Sequence, residues 1–453
     1  MKKVLIISYY FPPSGGPGVQ RVLKFVKYLP QFGWEPIVLT VKDGDFPARD
    51  ESLLSEIPKN IRVYRTHIFE AYNLYRRLTG RKKGSALDVD NINKEGKQKL
   101  SERFSNFVRA TFFIPDGRRG WLKYAVKEGK NILINEKPDL IFSSSPPYTC
   151  ALIAMKLKLF AQKKLKRDIP WVSAFRDAWT NYLTTPNRWF IPSMIDKRYE
   201  RTTLVNSDIV TIVSKGFKDD FDSKYPEISK DTQYELIRNG FDSSDFAITA
   251  PEQQAKDKLT FVYTGSMYGK RNPYFFIDTL TELSSKNKID KDKIKIYFVG
   301  RCGQDIHDYI DKSPIKDSIE LIPYIPHSES IKYLLKADAM LLIIDEDKYS
   351  KMILSGKVFE YLGASLITGK PVIAIAPEGE ASDLIKETNS GYVIPHNNKE
   401  LLSTAILNLY NSIFSNNKSS ISINKEEIRK YDRINLTRKL AEVFDKITEN
   451  KKN

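Results

Sequence analysis

Apolar and polar positions along this chain fall into two successive series of short apolar runs separated by amphipathic stretches. Lys3 to Tyr9 is a β-rich apolar run, and Val19 to Leu29 repeats its apolar residues at helical spacing. Pro36–Val41, Ile61–Tyr64, Leu140–Ser143, Trp171–Ala174 and Ile209–Val213 predict further strands, with helical stretches between them. That alternation is the βαβ pattern of an open parallel sheet. The pattern restarts after the polar stretch Thr249–Lys258, the predicted linker. Strands are then expected at Thr260–Tyr263, Ile294–Val299, Ile319–Leu321, Ala339–Ile344 and Pro371–Ile375. Helices are expected at Asn272–Ser285, Ser328–Lys336 and Val358–Thr368. The sequence thus predicts two α/β domains, 1–248 and 259–424, and a final helix within 425–453 that crosses back onto the first domain.

One segment breaks the rhythm. Tyr72 to Arg109 carries ten Lys or Arg against four acids, with aromatics only at Tyr72, Tyr75, Phe104 and Phe107. Insertions of this length in an α/β domain are usually functional or disordered.

Composition narrows the classes. At 453 residues the chain exceeds one ordinary core. No apolar run reaches membrane-spanning length, and Cys150 and Cys302 suggest neither a disulfide framework nor a metal knuckle. The opening MKKVLIISYYFPP reads as a first strand rather than a leader, so a cytoplasmic location is expected. A net charge of +16 favours an anionic partner: nucleic acid, phosphorylated ligands or an acidic membrane face.

The densest chemistry lies in SGKVFEYLGASLITGKPVIAI, Ser355 to Ile375. A loop with Ser355, Gly356, Lys357 and Val358 enters a helix, whose free N–H groups and macrodipole attract phosphate. Lys357 adds a point charge, and Glu360, one turn deeper, is placed to accept from two adjacent hydroxyls such as those of a ribose. The same spacing also suits an ordinary amphipathic helix burying Val358, Tyr361, Leu362 and Ser365. Gly15, Gly16 and Gly18 lie between the first strand and its helix, where glycine lets a ligand approach the backbone. Arg176 and Asp177 follow a strand, at the end that faces the ligand crevice in open sheets, so Asp177 is a candidate to orient an acceptor hydroxyl. Gly265, Ser266, Lys270 and Arg271 follow the first strand of the second series, and Arg301 follows the next. Arg271 can clamp a diphosphate in bidentate fashion, with Lys270 and Arg301 as further cations. Asp345-Glu346-Asp347 matches a metal-holding pattern of some transferases but reads as an exposed acidic loop. The histidines, at 67, 307, 327 and 396, have neither a nucleophile beside them nor metal-ligand spacing.

These pieces, in this order, resemble glycosyltransferase family 4: SGGPGVQR, SSSPPY, AFRDAW, ERTTLVNSDIVTIVS, IRNGFD, YTGSMYGKRNP, the segment from Ser355 and ETNSGYVI. The nearest branch is that of bacterial surface-polysaccharide assembly. The resemblance implies the GT-B fold, two Rossmann-like domains with parallel sheets facing across an interdomain cleft. It implies a retaining, hexosyltransferase-type enzyme that moves a sugar from a nucleotide-diphosphate-sugar to a glycan or lipid-linked acceptor. No metal and no cofactor are expected, because protein cations and helix N-termini serve the leaving diphosphate. The donor would lie on the second domain, the acceptor on the first. Gly16 would approach the diphosphate, Glu360 would hold the ribose, and Arg271 would bind phosphate. The implied catalytic residues are Asp177, Arg271 and Glu360.

Two positions depart from the family. Where it often has the first of two glutamates flanking seven residues, this chain has Met352, and Ser266 falls at or near a frequent phosphate-binding arginine. The frequent first-domain histidine is also missing, and Asp177 is the candidate for its place. Peripheral attachment to the inner membrane face through 72–109 is a further expectation. The alternatives are a metal-dependent transferase using Asp345 and Asp347, and a basic nucleic-acid-binding protein, for which no motif stands out.

Overall fold

A computed structural model describes residues 1–46, 48–69, 100–180, 185–247, 257–346, 350–352, 354–415 and 421–450. The chain forms two compact units, Met1–Arg238 with Leu436–Asn453, and Asn239–Asn435.

The first unit is built on seven parallel strands: β1 (Lys2–Ile7), β2 (Trp34–Val41), β3 (Arg62–Thr66), β4 (Leu140–Ser145), β5 (Trp171–Phe175), β6 (Ile209–Ile212) and β7 (Tyr234–Leu236). Their order is β3-β2-β1-β4-β5-β6-β7, so the winding reverses between β1 and β4. The second unit has β8 (Leu259–Thr264), β9 (Ile294–Val299), β10 (Ile319–Ile322), β11 (Ala339–Ile343), β12 (Val372–Ile375) and β13 (Gly391–Ile394). Here the order is β10-β9-β8-β11-β12-β13, again parallel, with the reversal between β8 and β11. Strands buried on both faces read as continuous apolar runs, which is why β11 and the stretches Val4–Ile7 of β1 and Leu140–Phe142 of β4 stand out in the sequence. In an open sheet of this kind ligands bind beyond the carboxyl ends of the strands, at the reversal.

The units meet the chain at different points from those expected. The first break lies at Arg238, because Phe241 and Phe246 pack into the second unit's core beside Val358 and Leu362. Most of the expected linker, 249–256, lies outside the described residues. The predicted C-terminal helix is two helices. Lys425–Arg429 and the turn after it stay with the second unit through Ile428 and Tyr431, and Arg433–Asn450 follows. Leu440, Val443 and Phe444 of that last helix complete the first unit's core, with Phe444 edge-on to both Trp34 and Phe142. β7 and β13 were not predicted as strands. Among the described residues no helix is long and apolar enough to cross a membrane. Of the basic insertion, 70–99 lies outside the described residues, and a helix, Leu100–Phe112, follows.

Candidate functional site

In the second unit, the loops after β8 and β11 flank the reversal, and side chains converge there. The helix Gly356–Thr368 begins at Ser355, which is extended and makes no side-chain cap. Its first N–H groups therefore depend on something outside the helix. It ends at Gly369, whose φ of 68° lets the chain turn into β12. Its buried face is Val358, Phe359, Tyr361, Leu362, Ala364 and Ser365, so the amphipathic reading of this segment holds alongside the site. The Thr264 N–H donates to the Tyr361 hydroxyl at 2.8 Å, which fixes the end of β8 against the helix.

Lys357 reaches from the first turn over Gly265. Its Nζ donates to the Tyr263 hydroxyl at 2.9 Å and lies 4.6 Å from the centre of that ring. A Cβ on Gly265 would fall 2.2 Å from Lys357 Cε, and φ there is +105°, so only glycine serves. Burial, then the charge of Arg271, push Lys357 down to about 7, against the pull of Glu360 and Asp345. Arg271 ion-pairs across the reversal with Asp345, Nε to Oδ1 at 3.0 Å and Nη2 to Oδ2 at 3.4 Å. Asp345 is thus half-buried and paired, not the exposed acid expected, because a cation 74 positions earlier reaches it. Asp347 lies outside the described residues.

Glu360 sits one turn deeper on the same helix. Its Oε1 is 3.1 Å from His327 Nε2, at the start of the helix His327–Lys336. The charge of Glu360 also acts on the buried Arg433, whose guanidinium burial lowers to about 10 against the pull of Asp242 and Glu360. His327 was missed because only tertiary packing brings it here. Ser266 is half-buried, and its carbonyl accepts from the Tyr263 hydroxyl at 3.1 Å. Lys270 is exposed, and Arg301 is exposed over the Tyr324 ring at 5.8 Å; among the described residues neither joins the contacts of Lys357 or Glu360. Met352 is half-buried in a short turn before Ser355.

In the first unit, the loops after β1, β4 and β5 flank the reversal. Gly16 has φ +95° and open space where a Cβ would stand. Gly15 is buried, with its N–H given to the Ala48 carbonyl at 2.9 Å, so that donor is already used. A Cβ on Gly18 would meet Arg176 Nη1 at 2.6 Å. The Arg176 guanidinium donates to the Pro146 carbonyl, and its N–H to Ser145 at 2.9 Å. Arg176 is therefore a brace between three loops. Asp177 beside it is half-buried, and burial raises its carboxyl pKa although Arg176 pulls the other way. Trp179 stacks on Tyr148 at 4.4 Å and donates from Nε1 to the buried Asp196 at 2.8 Å. Beyond Asp196, the buried Arg188 pairs with it at 2.8 Å and donates to the carbonyls of Ala110, Phe113 and Pro115.

Chemically, the second unit offers a guanidinium, an amine able to gain a proton near neutrality, and unpartnered helix N–H groups at one strand end. That set suits a diphosphate, with a carboxylate one turn away for hydroxyls. Comparison with known proteins agrees in kind. The family model described as Glycosyl transferases group 1 matches residues 258–412, and that of Glycosyltransferase Family 4 matches 87–245, together well over half of the chain. Nothing matches among curated proteins. Among solved structures, a glycosyltransferase from Rickettsia africae is similar at TM-score 0.60 and 16% identity, covering 99% of each chain. S. aureus TarM, in a complex that includes UDP, is similar at TM-score 0.58 and 11% identity, over 98% of this chain and 100% of that one. WaaG, a glycosyltransferase involved in lipopolysaccharide biosynthesis, is similar at TM-score 0.54 and 13% identity, over 97% and 99%.

Proposed function

We propose that this chain, which belongs to the family 4 glycosyltransferases and has the GT-B fold, transfers a sugar with retention from a nucleotide-diphosphate-sugar to a glycan or lipid-linked acceptor in surface-polysaccharide assembly. The observation that carries this reading is the convergence of Arg271, Lys357 and the helix N-terminus at Ser355 on the β8–β11 reversal. The surface-glycan context is supported by the neighbour WaaG, and a diphosphate-bearing donor by the UDP in the TarM complex.

In the reaction the bond from the sugar's anomeric carbon to the diphosphate oxygen breaks, and the acceptor oxygen bonds to that carbon. The electron pair of the broken bond leaves on the diphosphate oxygen, which takes up the proton that the acceptor hydroxyl loses. Arg271, Lys357 and the N–H groups at Gly356 and Lys357 stabilise the charge developing there. Glu360 accepts from the ribose hydroxyls, exchanging His327 for them. On the first unit, Asp177 orients the acceptor hydroxyl, with Arg176 as its fixed neighbour. Gly16 offers a backbone approach for a phosphate or a sugar.

The metal-free form of this reading is supported by Asp345, whose two oxygens are both engaged by Arg271. Activity should be unchanged by EDTA, whereas strict dependence on added manganese or magnesium would return Asp345 to the role of ligand. A thermal-shift series with nucleoside diphosphates and their sugars tests donor binding. A ligand at 100 times its dissociation constant should add about 2.7 kcal/mol of stability. If no nucleotide raises the melting temperature, the donor reading falls.

Glu360→Ala should weaken the nucleoside diphosphate by about 1.5–3 kcal/mol, the worth of hydrogen bonds to a charged group. The corresponding 2′-deoxynucleotide should lose much less on the same substitution. Equal losses for both ligands would remove Glu360 from the ribose.

A further inference from the structure

Two helices of the first unit leave apolar side chains in water. The helix Phe190–Asn206 begins with Phe190 78% exposed, and Ile191, Met194 and Ile195 are exposed beside it. Trp189, just before it, is 45% exposed. Phe107 and Phe112 are exposed on the helix Leu100–Phe112. The two helices are held together there: Trp189 Nε1 donates to Thr111 Oγ1 at 2.9 Å, and Arg188 donates to the carbonyls of Ala110 and Phe113. The exposed start of Phe190–Asn206 is thus fixed against the last turn of Leu100–Phe112. Patches of this kind mark interaction sites.

Charge says what kind of partner fits. In the first three turns of Phe190–Asn206, the acids Asp196 and Glu200 are buried, while Lys197 and Arg198 are exposed. Every exposed side chain there is apolar, cationic or neutral. An apolar helix start whose exposed charges, Lys197 and Arg198, are both cationic is complementary to an anionic lipid surface, where apolar groups enter the acyl boundary and cations meet headgroups. A second copy of this chain would bring the same cations against themselves.

We propose that the Trp189–Ile195 tip, with Phe107 and Phe112, is a membrane-docking surface for an anionic leaflet. It moves the apolar part of the expected membrane contact from the basic segment to the start of a different helix. The inference goes beyond the transfer chemistry and does not depend on it.

The chain carries its own reporter. Of five tryptophans, Trp34, Trp121, Trp171 and Trp179 are fully buried, and only Trp189 is exposed. Vesicles of phosphatidylglycerol and phosphatidylcholine with brominated acyl chains should therefore quench the wild-type tryptophan emission, and phosphatidylcholine alone should quench it far less. In flotation, Phe190→Glu/Met194→Glu should reduce the vesicle-bound fraction by at least about tenfold. Its nucleotide-induced thermal shift should stay that of the parent, which separates this inference from the donor reading. No quenching of wild type by anionic vesicles overturns the proposal. So does flotation of the double variant at the parent level. A wild-type dimer in light scattering that the double variant dissolves assigns the patch to a second copy and overturns it equally.

Discussion

Lys357→Met should slow transfer by about 10²–10³-fold, the usual loss when one preorganised donor to developing charge is removed. Binding of the bare nucleoside should change little, because Lys357 sits with Tyr263 and Gly265, whereas Glu360 meets His327. Methionine keeps most of the stem that passes over Gly265. Parent-like kcat in this variant would exclude Lys357 from the diphosphate site. A pH experiment gives an independent readout. Lys357 titrates near 7 in the folded protein, against an ordinary 10.5. Between these values the unfolded chain holds more protons than the folded one, so stability rises with pH across that window. Replacing Lys357 should flatten this slope. Donor binding shows the opposite sign: a diphosphate favours the ammonium form, so its affinity should fall as pH rises above about 7, with proton uptake measurable in weakly buffered calorimetry.

Asp196→Ala should destabilise the first unit by about 3–5 kcal/mol, the range for removing one partner of a buried ion pair. The substitution strands the guanidinium of Arg188 in the interior and takes the acceptor from Trp179 Nε1. The pair is not a source of net stability in itself, since burial raises the Asp196 carboxyl despite Arg188 and the Trp179 hydrogen bond. Its worth lies in the three carbonyls it lets Arg188 hold. Asp196→Asn keeps an acceptor for Trp179 and should recover part of the loss. Denaturant unfolding followed by tryptophan emission measures this cleanly, because all five tryptophans lie in Met1–Arg238. A loss below about 1 kcal/mol would show that Arg188 finds other compensation.

The strands that carry each sheet's centre were legible because burial on both faces gives them unbroken apolar stretches, Val4–Ile7, Leu140–Phe142 and Ala339–Ile343 among them. β7 and β13 escaped because each lies at a sheet edge: Tyr234–Leu236 is three residues with Glu235 at its middle, and Gly391–Ile394 opens on glycine. The C-terminal helix was read as continuous because nothing in its periodicity marks the turn after Arg429, which Tyr431 makes by entering a core built elsewhere. In the candidate site, the grouping of Ser355, Gly356, Lys357 and Glu360 was readable because they share one helix start, where local sequence dictates the geometry. Tyr263, His327 and the Asp345 partner of Arg271 were not, since each contact joins segments that only the sheet order brings together. The same reason hid the part Arg176 plays as a brace over Gly18.

The return of Leu436–Asn453 to the first unit bears on how the chain folds during synthesis. Residues of the second unit form one continuous stretch, so that unit can fold as soon as it leaves the ribosome. The first unit emerges earlier, yet Trp34 and Phe142 wait for Phe444, more than 300 residues behind them. Ordinary domains finish in the order in which they are made. Here the domain begun first is finished last, and throughout that interval an apolar face is exposed that a chaperone could hold.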